Sequence, residues 1–424
     1  MQNQNVKTKT GANRVVITGM GVISPVGNDT ETFFDALVEG KIGVRKTEDS
    51  RFVGYKVTLA AEVLDFEPEK YMDKKEARRM DRYCQFALAA ADEAVKMSGL
   101  PLADMDPFTV GAIIGSGVGG LTTMHNQYDV LFNKGGETRI SPLFIPMMIS
   151  NMAAGQVAMK YGIKGANFCV TTACASGTHA IGEAFRKIKH GDLEAAIAGG
   201  AEAPISEIAM GGFTNMKALN TVDDPNLGSL PFDARRQGFV IAEGAGILVL
   251  ESMEHALSRN ATIYGEIIGY GATADAYHVT SPDPEGKGAA GAMKLAMKEA
   301  DVCPEEIDYI NAHGTGTPIN DKYETKAIKD ALGEEAAYKV AVSSTKGVTG
   351  HLLGAAGGVE AVCIAQALRK GIIPPTVGLQ EKDPECDLDY VPNIARKADI
   401  KIAMSNSLGF GGQNATLIMK KVED

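Results

Sequence analysis

The sequence predicts an α/β protein made of two similar halves, each with a sheet that is covered by helices on both faces. Its 424 residues exceed what one hydrophobic core usually serves, so two core units are expected. Strand-like apolar runs alternate with helical patterns, which favours parallel sheets. The same order of patterns occurs twice, so two such units could pack their sheets against shared central helices.

Boundaries for these units follow from composition along the chain. Residues 1–13 are polar and lack the apolar core of a signal peptide, so we interpret them as a flexible N-terminal tail. The first half is predicted over residues 14–260 and the second over residues 261–424, with the seam near Asn260. No apolar run reaches about 18 residues, so no membrane span is expected.

Three pairs of segments carry the repeat. In each pair a β-rich run leads into a turn of glycine or small residues, or follows one. The pairs are residues 110–115 with 307–312, residues 166–172 with 339–344, and residues 245–251 with 415–420. The second pair is the most informative, because each of its members leads into a Gly/Ala-rich helix.

Cys174 lies in residues 170–178, where an apolar strand breaks into small residues and a helix begins. The helix should end at Gly191, after several cationic residues in its last turn. A thiol at a helix N-terminus is expected to have a lowered pKa and to act as a nucleophile. Most buried cysteines are only small hydrophobes, which is our interpretation of Cys84, Cys169, Cys303 and Cys363.

Two histidines occupy similar strand-to-turn positions. His313 follows an apolar run and precedes a Gly-Thr-Gly-Thr turn, so it should emerge at the carboxyl end of a strand. His351 follows Gly350 and precedes a helix rich in small residues, which indicates an enclosed imidazole. Glu360 lies on an apolar face of that helix, and Lys346 is the nearest cation that could pair with a buried carboxylate.

The combination of one cysteine with two histidines limits the chemistry. A cysteine with one histidine and an Asn or Asp would indicate hydrolysis or simple acyl transfer, but no such orienting partner can be assigned. Two neutral imidazoles could instead stabilise an enolate that forms when a carboxylate leaves next to a thioester. Glycines around Phe410 would let backbone approach closely and supply an oxyanion N–H.

Composition excludes several other functions. A net charge of −11 argues against general nucleic-acid binding, and the absence of tryptophan argues against a stacking platform. Six cysteines without a C-x-x-C pair predict neither a metal site nor disulfides. A reducing cytoplasm fits this cysteine usage best.

Four segments in this order resemble the β-ketoacyl-acyl carrier protein synthases: residues 171–177, 312–317, 346–351 and 405–412. The resemblance extends over residues 15–420. Chain length and the two-histidine pattern are similar to synthase II, with synthase I the close rival, whereas synthase III would pair its cysteine with His and Asn.

This resemblance implies a thiolase-like fold, with duplicated α/β halves in five αβαβα layers, and a homodimer. It implies that an acyl group moves from acyl carrier protein to Cys174. Malonyl-acyl carrier protein then loses carbon dioxide, and the enolate attacks the acyl thioester to give 3-oxoacyl-acyl carrier protein. No cofactor would be bound permanently, because phosphopantetheine arrives on the carrier protein.

Roles for individual residues follow from the same resemblance. Cys174 is the nucleophile, His313 and His351 stabilise the enolate, and Lys346 and Glu360 support the site electrostatically. The backbone amides of Cys174 and Phe410 would form the oxyanion hole, and the Phe410 side chain would gate the acyl pocket. Thr315 and Thr317 would bind pantetheine, with Thr280 as a weaker candidate. The acyl pocket would be lined by Val118, Leu408 and Phe410. Two positions depart from the commonest family pattern: Leu408 stands where phenylalanine is frequent, and Gln413 where threonine or histidine is usual. These departures bear on gating and on the preferred acyl chain.

A basic segment, residues 74–82, is a candidate docking patch for an acidic carrier protein. Its cations are Lys74, Lys75, Arg78, Arg79 and Arg82. The alternative is an ordinary solvated helix face.

Two alternatives to fatty-acid chain elongation by a synthase II stay open. A synthase I or a polyketide ketosynthase would share every catalytic residue. A non-catalytic chain-length partner subunit would only shape an acyl tunnel. Such a subunit needs no nucleophile, so Cys174 argues against it.

Overall fold

The computed structural model describes residues 6–47 and 52–422, and its largest element is a ten-stranded sheet. The strands are β1 (Val15–Ile23), β2 (Arg45–Lys46), β3 (Leu59–Ala60), β4 (Val110–Gly115), β5 (Asn167–Phe168), β6 (Ala195–Glu202), β7 (Gly244–Ser252), β8 (Gly265–Ala274), β9 (Tyr309–Asn311), β10 (Ala341–Ser343), β11 (Ile372–Ile373), β12 (Arg396–Lys397), β13 (Ile402–Gly409) and β14 (Gln413–Lys420). The helices are α1 (Thr30–Glu39), α2 (Lys74–Ala77), α3 (Arg82–Ser98), α4 (Leu121–Asn133), α5 (Phe144–Met148), α6 (Met152–Tyr161), α7 (Ser176–His190), α8 (Glu207–Asn215), α9 (Met253–Ser258), α10 (Lys287–Ala300), α11 (Asn320–Leu332), α12 (Glu334–Ala337), α13 (Lys346–Thr349) and α14 (Ala356–Lys370).

The strand order confirms the predicted duplication. The first half of the sheet runs β5-β4-β6-β7-β1 and the second half runs β10-β9-β13-β14-β8. If the five strands of each half are numbered in chain order, both halves have the order 3-2-4-5-1. Within the sheet, the two halves are joined where β1 pairs antiparallel with β8, over three residue pairs. All three predicted pairs of segments therefore correspond: β4 to β9, β5 to β10, and β7 to β14.

The expectation of parallel sheets is wrong for part of each half. Strands β5, β4 and β6 are parallel, but β7 pairs antiparallel with both β6 and β1. Antiparallel pairing places Glu202, at the end of β6, beside Gly244, at the start of β7. The long connection of residues 203–243 therefore leaves and rejoins the sheet at one end, which is also where the residues after β4 and β5 emerge.

Side chains alternate between two cores along each strand, which produces five layers. In β7, Leu248 and Leu250 face a central core that also contains residues of α7 and α14, whereas Ile247 and Val249 face α3 and α6. The second half repeats this arrangement, with α10 and α11 covering its outer face. Helices α7 and α14 thus form the middle layer of an αβαβα structure.

The predicted seam near Asn260 falls in the turn between α9 and β8, where Asn260 has a φ of 54°. Part of the predicted N-terminal tail, residues 1–5, lies outside the described residues. The rest of it is anchored, because the Asn13 amide donates to the Lys189 carbonyl and the Arg14 amide to Val6. None of the helices in residues 6–47 and 52–422 combines the length and apolar character that a membrane crossing requires.

Candidate active site

Cys174 is the middle residue of a short 3-10 turn, Ala173–Ala175, that leads directly into α7. The helix ends as predicted, with Gly191 in the left-handed conformation after Lys187, Lys189 and His190 in its last turn. The thiol therefore lies at the start of a helix, on the floor of a cavity of about 400 Å³. Strand β5 is shorter than predicted, because residues 169–172 form an irregular segment between the strand and the 3-10 turn.

The two halves differ at the position of Cys174. Leu353–Ala355 forms the corresponding 3-10 turn before α14, and Ala173 and Leu353 both have a φ of 49°. Gly354 is thus the counterpart of Cys174. Its amide is already taken, because the buried Glu202 carboxylate accepts from it at 3.0 Å and from the Gly117 amide at 2.7 Å. The second half therefore offers no open site at the equivalent position.

The expected lowering of the Cys174 pKa is contradicted. Burial raises the pKa of the thiol to about 12, and the positive charge of Lys346 together with the amides of Phe410 and Cys174 oppose this only in part. The prediction considered the helix terminus but not the removal of water from the thiol. Cys174 is therefore a thiol in the resting state, and its proton must leave when the nucleophile attacks.

Alkylation of Cys174 by iodoacetamide should report this protonation state. Because only the thiolate reacts, the rate constant is expected to rise about tenfold per pH unit from about pH 7 to pH 10 without a plateau. The measurement is peptide-resolved mass spectrometry over that range. The exposed Cys303 provides a reference for reagent activity in the same sample. A plateau below about pH 9 would show that the resting residue is a thiolate.

Both predicted histidines lie close to the Cys174 thiol. A ligand atom of Cys174, of His313 and of His351 all lie within 4.8 Å of one another. The two imidazole centroids are 5.2 Å apart with the ring planes at 83°. Burial, reinforced by the charge of Lys346, holds the pKa of each imidazole well below its usual 6.5. Both rings are therefore neutral at physiological pH and can accept or donate a proton.

Different elements hold the two rings. The loop after β9 carries His313, and the carboxylate of Glu324 on α11 accepts from the amides of His313 at 2.7 Å and Gly314 at 2.8 Å. His351 follows α13, and its amide donates to Val240 O at 2.8 Å. The ring of Phe239 packs edge-on against His351, with centroids 5.1 Å apart. The connection between β6 and β7 therefore supports the second histidine.

The predicted buried ion pair is present. Lys346 Nζ donates to Glu360, and the two side chains are 1% and 3% exposed. Burial raises the pKa of Glu360, and the Lys346 charge opposes the rise. The pair does not line the cavity, but the cation influences Cys174, His313 and His351 through the low-dielectric interior.

The other predicted binding residues line the same cavity. They are Val118, Thr280, Thr315, Thr317, Leu408 and Phe410. The hydroxyls of Thr315 and Thr317 are 2.9 Å apart. Val118 is 39% exposed, and the Phe410 ring lies 6.5 Å from the ring of Phe213, which is also in the wall. One continuous cavity thus connects the thiol, the histidines and the two threonines.

Gly409 allows the chain at Phe410 to approach the nucleophile. A Cβ at this position would lie 2.8 Å from Thr172 O and 3.2 Å from Cys174 N. Any side chain would therefore push the β13–β14 turn away from Cys174. The amides of Phe410 and Cys174 both act on the thiol, which is the placement that donors to a developing oxyanion require.

The basic segment divides into two parts. Lys74, Lys75, Arg78 and Arg79 are exposed, on α2 and the turn that follows it. Arg82 differs from these four, because it is only partly exposed and its guanidinium donates to Glu243 at 2.8 Å and to Val63 O at 2.6 Å. This ion pair anchors the start of α3, while the Arg82 side chain stays 38% exposed.

The structure corrects the interpretation of two cysteines and adds two buried acids. Cys303 is exposed, because it precedes a short 3-10 turn at the surface. Cys169 is only half-buried. Sequence reasoning missed Glu202 and Glu324. The signal for Glu324 was present, since it lies on the apolar face of α11, as Glu360 does on α14.

The trio of Cys174, His313 and His351 is also the group with metal-ligand spacing found among the described residues. Sulfur and two imidazoles could bind a zinc ion. The same atoms lie beside two backbone amides and a pair of threonine hydroxyls, which a metal site does not need. Fold and site together define a thiol-dependent acyltransferase built on a duplicated α/β scaffold.

Comparison with known proteins identifies the family within that class. The family models "Beta-ketoacyl synthase, N-terminal domain" and "Beta-ketoacyl synthase, C-terminal domain" match residues 12–256 and 264–380. The chain belongs to the beta-ketoacyl synthase family.

Curated relatives and solved structures agree with the family models. A 3-oxoacyl-[acyl-carrier-protein] synthase 2 of Staphylococcus aureus (strain N315) is 51% identical over 97% of this chain and 99% of that protein. The protein of the same name from Synechocystis sp. is 48% identical over 97% and 98%. Among solved structures, a chain of the complex described as a type II PKS acyl-carrier protein with its ketosynthase is similar to this protein. The TM-score is 0.89 and the identity 35%, and the match covers 97% of this chain and 100% of the matched chain.

Proposed function

We propose that this enzyme condenses malonyl-acyl carrier protein with an acyl chain carried on Cys174. The products are 3-oxoacyl-acyl carrier protein and carbon dioxide, and the reaction elongates fatty-acid chains. The observation that carries the proposal is the gathering of Cys174, His313 and His351 within 4.8 Å in one cavity. The thiol would hold the electrophile while the imidazoles act on the second substrate.

Acylation begins with attack of the Cys174 sulfur on the thioester carbonyl of an acyl carrier protein. Because burial keeps the sulfur protonated, one of the two neutral imidazoles accepts its proton. The amides of Cys174 and Phe410 donate to the carbonyl oxygen as it becomes negative. Collapse expels the pantetheine thiolate, which takes up the proton and leaves as a thiol.

Condensation begins when malonyl-acyl carrier protein enters the same cavity. The bond to its carboxylate breaks, carbon dioxide leaves, and the electron pair moves onto the thioester as an enolate. Hydrogen bonds from His313 and His351 to the enolate oxygen lower the barrier. The enolate carbon then attacks the acyl thioester, and the Cys174 thiolate leaves and regains a proton.

Names of relatives support the fatty-acid synthase II assignment over its rivals. Two curated relatives with near-complete coverage are called 3-oxoacyl-[acyl-carrier-protein] synthase 2. A polyketide ketosynthase has the same chemistry, and the ishigamide ketosynthase/chain length factor is 36% identical with a TM-score of 0.90. A non-catalytic chain-length subunit is disfavoured, because here the thiol lines an accessible cavity beside two histidines.

A condensation assay tests the proposed function. Purified enzyme is incubated with malonyl-acyl carrier protein and acyl-carrier-protein primers of graded chain length, and 3-oxoacyl products are identified by mass spectrometry. The expected result is a product two carbons longer than each accepted primer, and none with Cys174→Ala. Product formation by Cys174→Ala, or none by the wild type with any primer, would contradict the proposal.

The acidic carrier protein is proposed to dock on the exposed part of the basic segment. Reversal of charge at Lys75, Arg78 and Arg79 is expected to raise the KM for acyl carrier protein about tenfold, because rim charges steer the encounter. The rate with a small acyl thioester should stay unchanged. Lys339→Glu, at another exposed lysine, is the matched control. An unchanged KM in the triple variant would reject the docking patch.

A homodimer is proposed from the edge of the sheet. Strand β5 is an edge strand, and helices α4 and α5 of the same half bury almost nothing, with Phe132 at 74% and Ile145 at 55% exposure. An open strand edge and exposed apolar side chains are each typical of a surface that a second copy covers. Analytical ultracentrifugation should give twice the chain mass.

Two further proposals concern the environment of the enzyme. We expect no permanently bound cofactor or metal, because pantetheine brings the thioester and the proposed steps need only the thiol, imidazoles and amides. Metal analysis of the purified protein checks this. A cytoplasmic location is supported by the six cysteines, each of which is free.

A further inference from the structure

A segment of the first half holds the loop that carries His313. This strap, residues 229–239, belongs to the connection between β6 and β7. The loop, residues 313–318, follows β9 in the second half and contains Thr315 and Thr317. The Gly238 amide donates to Gly316 O at 3.1 Å, so the two segments are joined through their backbones.

The Arg236 side chain of the strap donates hydrogen bonds to this loop. Its Nε donates to Thr317 O and its Nη2 to Pro318 O, each at 3.2 Å. Its Nη1 donates to Asp233 O at 2.9 Å and to Asp383 Oδ2 at 2.6 Å. At 7% exposure the guanidinium is buried, and every one of these bonds goes to protein. Its planar fork is therefore fixed from both sides.

An acid holds the same loop from its amide side. The buried Asp321 accepts from the Gly316 amide at 3.2 Å and from the Phe232 amide at 2.8 Å, and its carboxylate is 3.9 Å from Arg236 Nε. Two backbone carbonyls of the loop, those of Thr317 and Pro318, thus accept from the Arg236 cation. The Gly316 amide donates to the Asp321 carboxylate. Because these backbone groups bond to Arg236 and Asp321, on the side away from the cavity, the Thr315 and Thr317 side chains line the cavity.

We propose that Arg236 is a positioning residue for the substrate arm: it fixes the loop so that the Thr315 and Thr317 hydroxyls present one binding edge to the amide groups of pantetheine. This inference rests on the proposed function, in which those hydroxyls bind pantetheine. Arg236 does not line the cavity and is distinct from the residues that act on the thioester. Its loss would loosen residues 315–318 and weaken binding of the arm. His313 would stay in place, because Glu324 still accepts from the amides of His313 and Gly314.

The test compares two acyl donors that differ only in the arm. One is an acyl-pantetheine thioester, and the other is a simple alkyl thioester of the same acyl chain without amide groups. Acylation of Cys174 is followed by intact-protein mass spectrometry for Arg236→Met and Arg236→Lys. The matched control is Arg235→Met, because Arg235 bonds to Asp233, Gly378 and Gln380 rather than to the loop.

Arg236→Met is expected to raise the KM for acyl-pantetheine about tenfold with kcat changed less than twofold, and to leave the rate with the alkyl thioester unchanged. Arg236→Lys should give an intermediate KM, because an ammonium can reach fewer of the carbonyls. Arg235→Met should match the wild type. An equal loss with both donors, or no rise in KM for either Arg236 variant, would overturn the inference.

A double-variant series separates positioning from general stabilisation. If Arg236 acts through the threonines, Arg236→Lys should raise the KM no further in a Thr315→Val/Thr317→Val background. Additive effects would contradict the inference, and this comparison remains available if Arg236→Met does not fold. Failure of the wild type to acylate Cys174 with either donor would instead count against the proposed function.

Discussion

Replacing either His313 or His351 by alanine is expected to lower malonyl decarboxylation by about 10²- to 10⁴-fold while acylation of Cys174 persists. Both neutral rings are placed to donate to the enolate oxygen, and each removal deletes one of the two donors. Acylation should survive within about tenfold, because the remaining imidazole can still accept the thiol proton. Decarboxylation is measured as release of labelled carbon dioxide, and acylation as the mass of the acyl adduct.

The matched control for these variants is His190→Ala, since His190 is exposed at the end of α7. It should leave both half-reactions unchanged. An equal loss of acylation and decarboxylation in His313→Ala and His351→Ala would contradict the proposed division of roles. So would retention of decarboxylation in both.

Lys346→Met is expected to destabilise the protein by about 3–5 kcal/mol at neutral pH, because it leaves the Glu360 carboxylate buried without its cation. The loss should shrink at acidic pH. A carboxyl whose folded-state pKa is raised contributes stability below its unfolded pKa, near 4.3, and loses it as pH rises through the folded value. Urea unfolding of variant and wild type near pH 7 and pH 5 should show the smaller difference at pH 5.

The double variant Lys346→Met/Glu360→Leu is the control, because it removes the uncompensated charge together with the cation. It should recover most of the lost stability. A loss below about 1 kcal/mol in the single variant, or one that does not depend on pH, would contradict the account of the pair. Loss of the cation should also slow acylation, since the charge of Lys346 lowers the pKa of Cys174.

Repeated patterns made the fold predictable. Residues 110–115 and 307–312 carry the same pattern because they occupy equivalent positions, as β4 and β9, in two halves with one strand order. The direction in which neighbouring strands pair was less predictable. Nothing in the apolar run of β7 indicates that it pairs antiparallel with β6, because a fully buried strand has the same composition in either direction.

The residues of the candidate active site were predictable where a local sequence pattern indicated their structural setting. Cys174 and His351 precede helices, His313 follows a strand, and Glu360 lies on an apolar helix face that requires a partner. The strap over residues 229–239 could not be predicted, since its contacts join distant segments and it has no periodic pattern. Arg82 likewise looked like its exposed neighbours, because its partner Glu243 is far along the chain.

The ionisation state of the nucleophile could not be inferred from local sequence either. A helix N-terminus lowers a thiol pKa, but the depth of the cavity decides how much water reaches the sulfur. Here burial is the larger effect. In the proposed mechanism, an imidazole therefore accepts the thiol proton during acylation, in addition to the role of both rings in decarboxylation.

Peptide mass spectrometry of the enzyme after exposure to an acyl carrier protein, without malonyl substrate, tests the central claim most directly. We expect a single acyl adduct on the peptide that contains Cys174. The adduct should disappear when malonyl-acyl carrier protein is added and a 3-oxoacyl product forms. An adduct on another residue, or an adduct on Cys174 that malonyl-acyl carrier protein does not discharge, would contradict it.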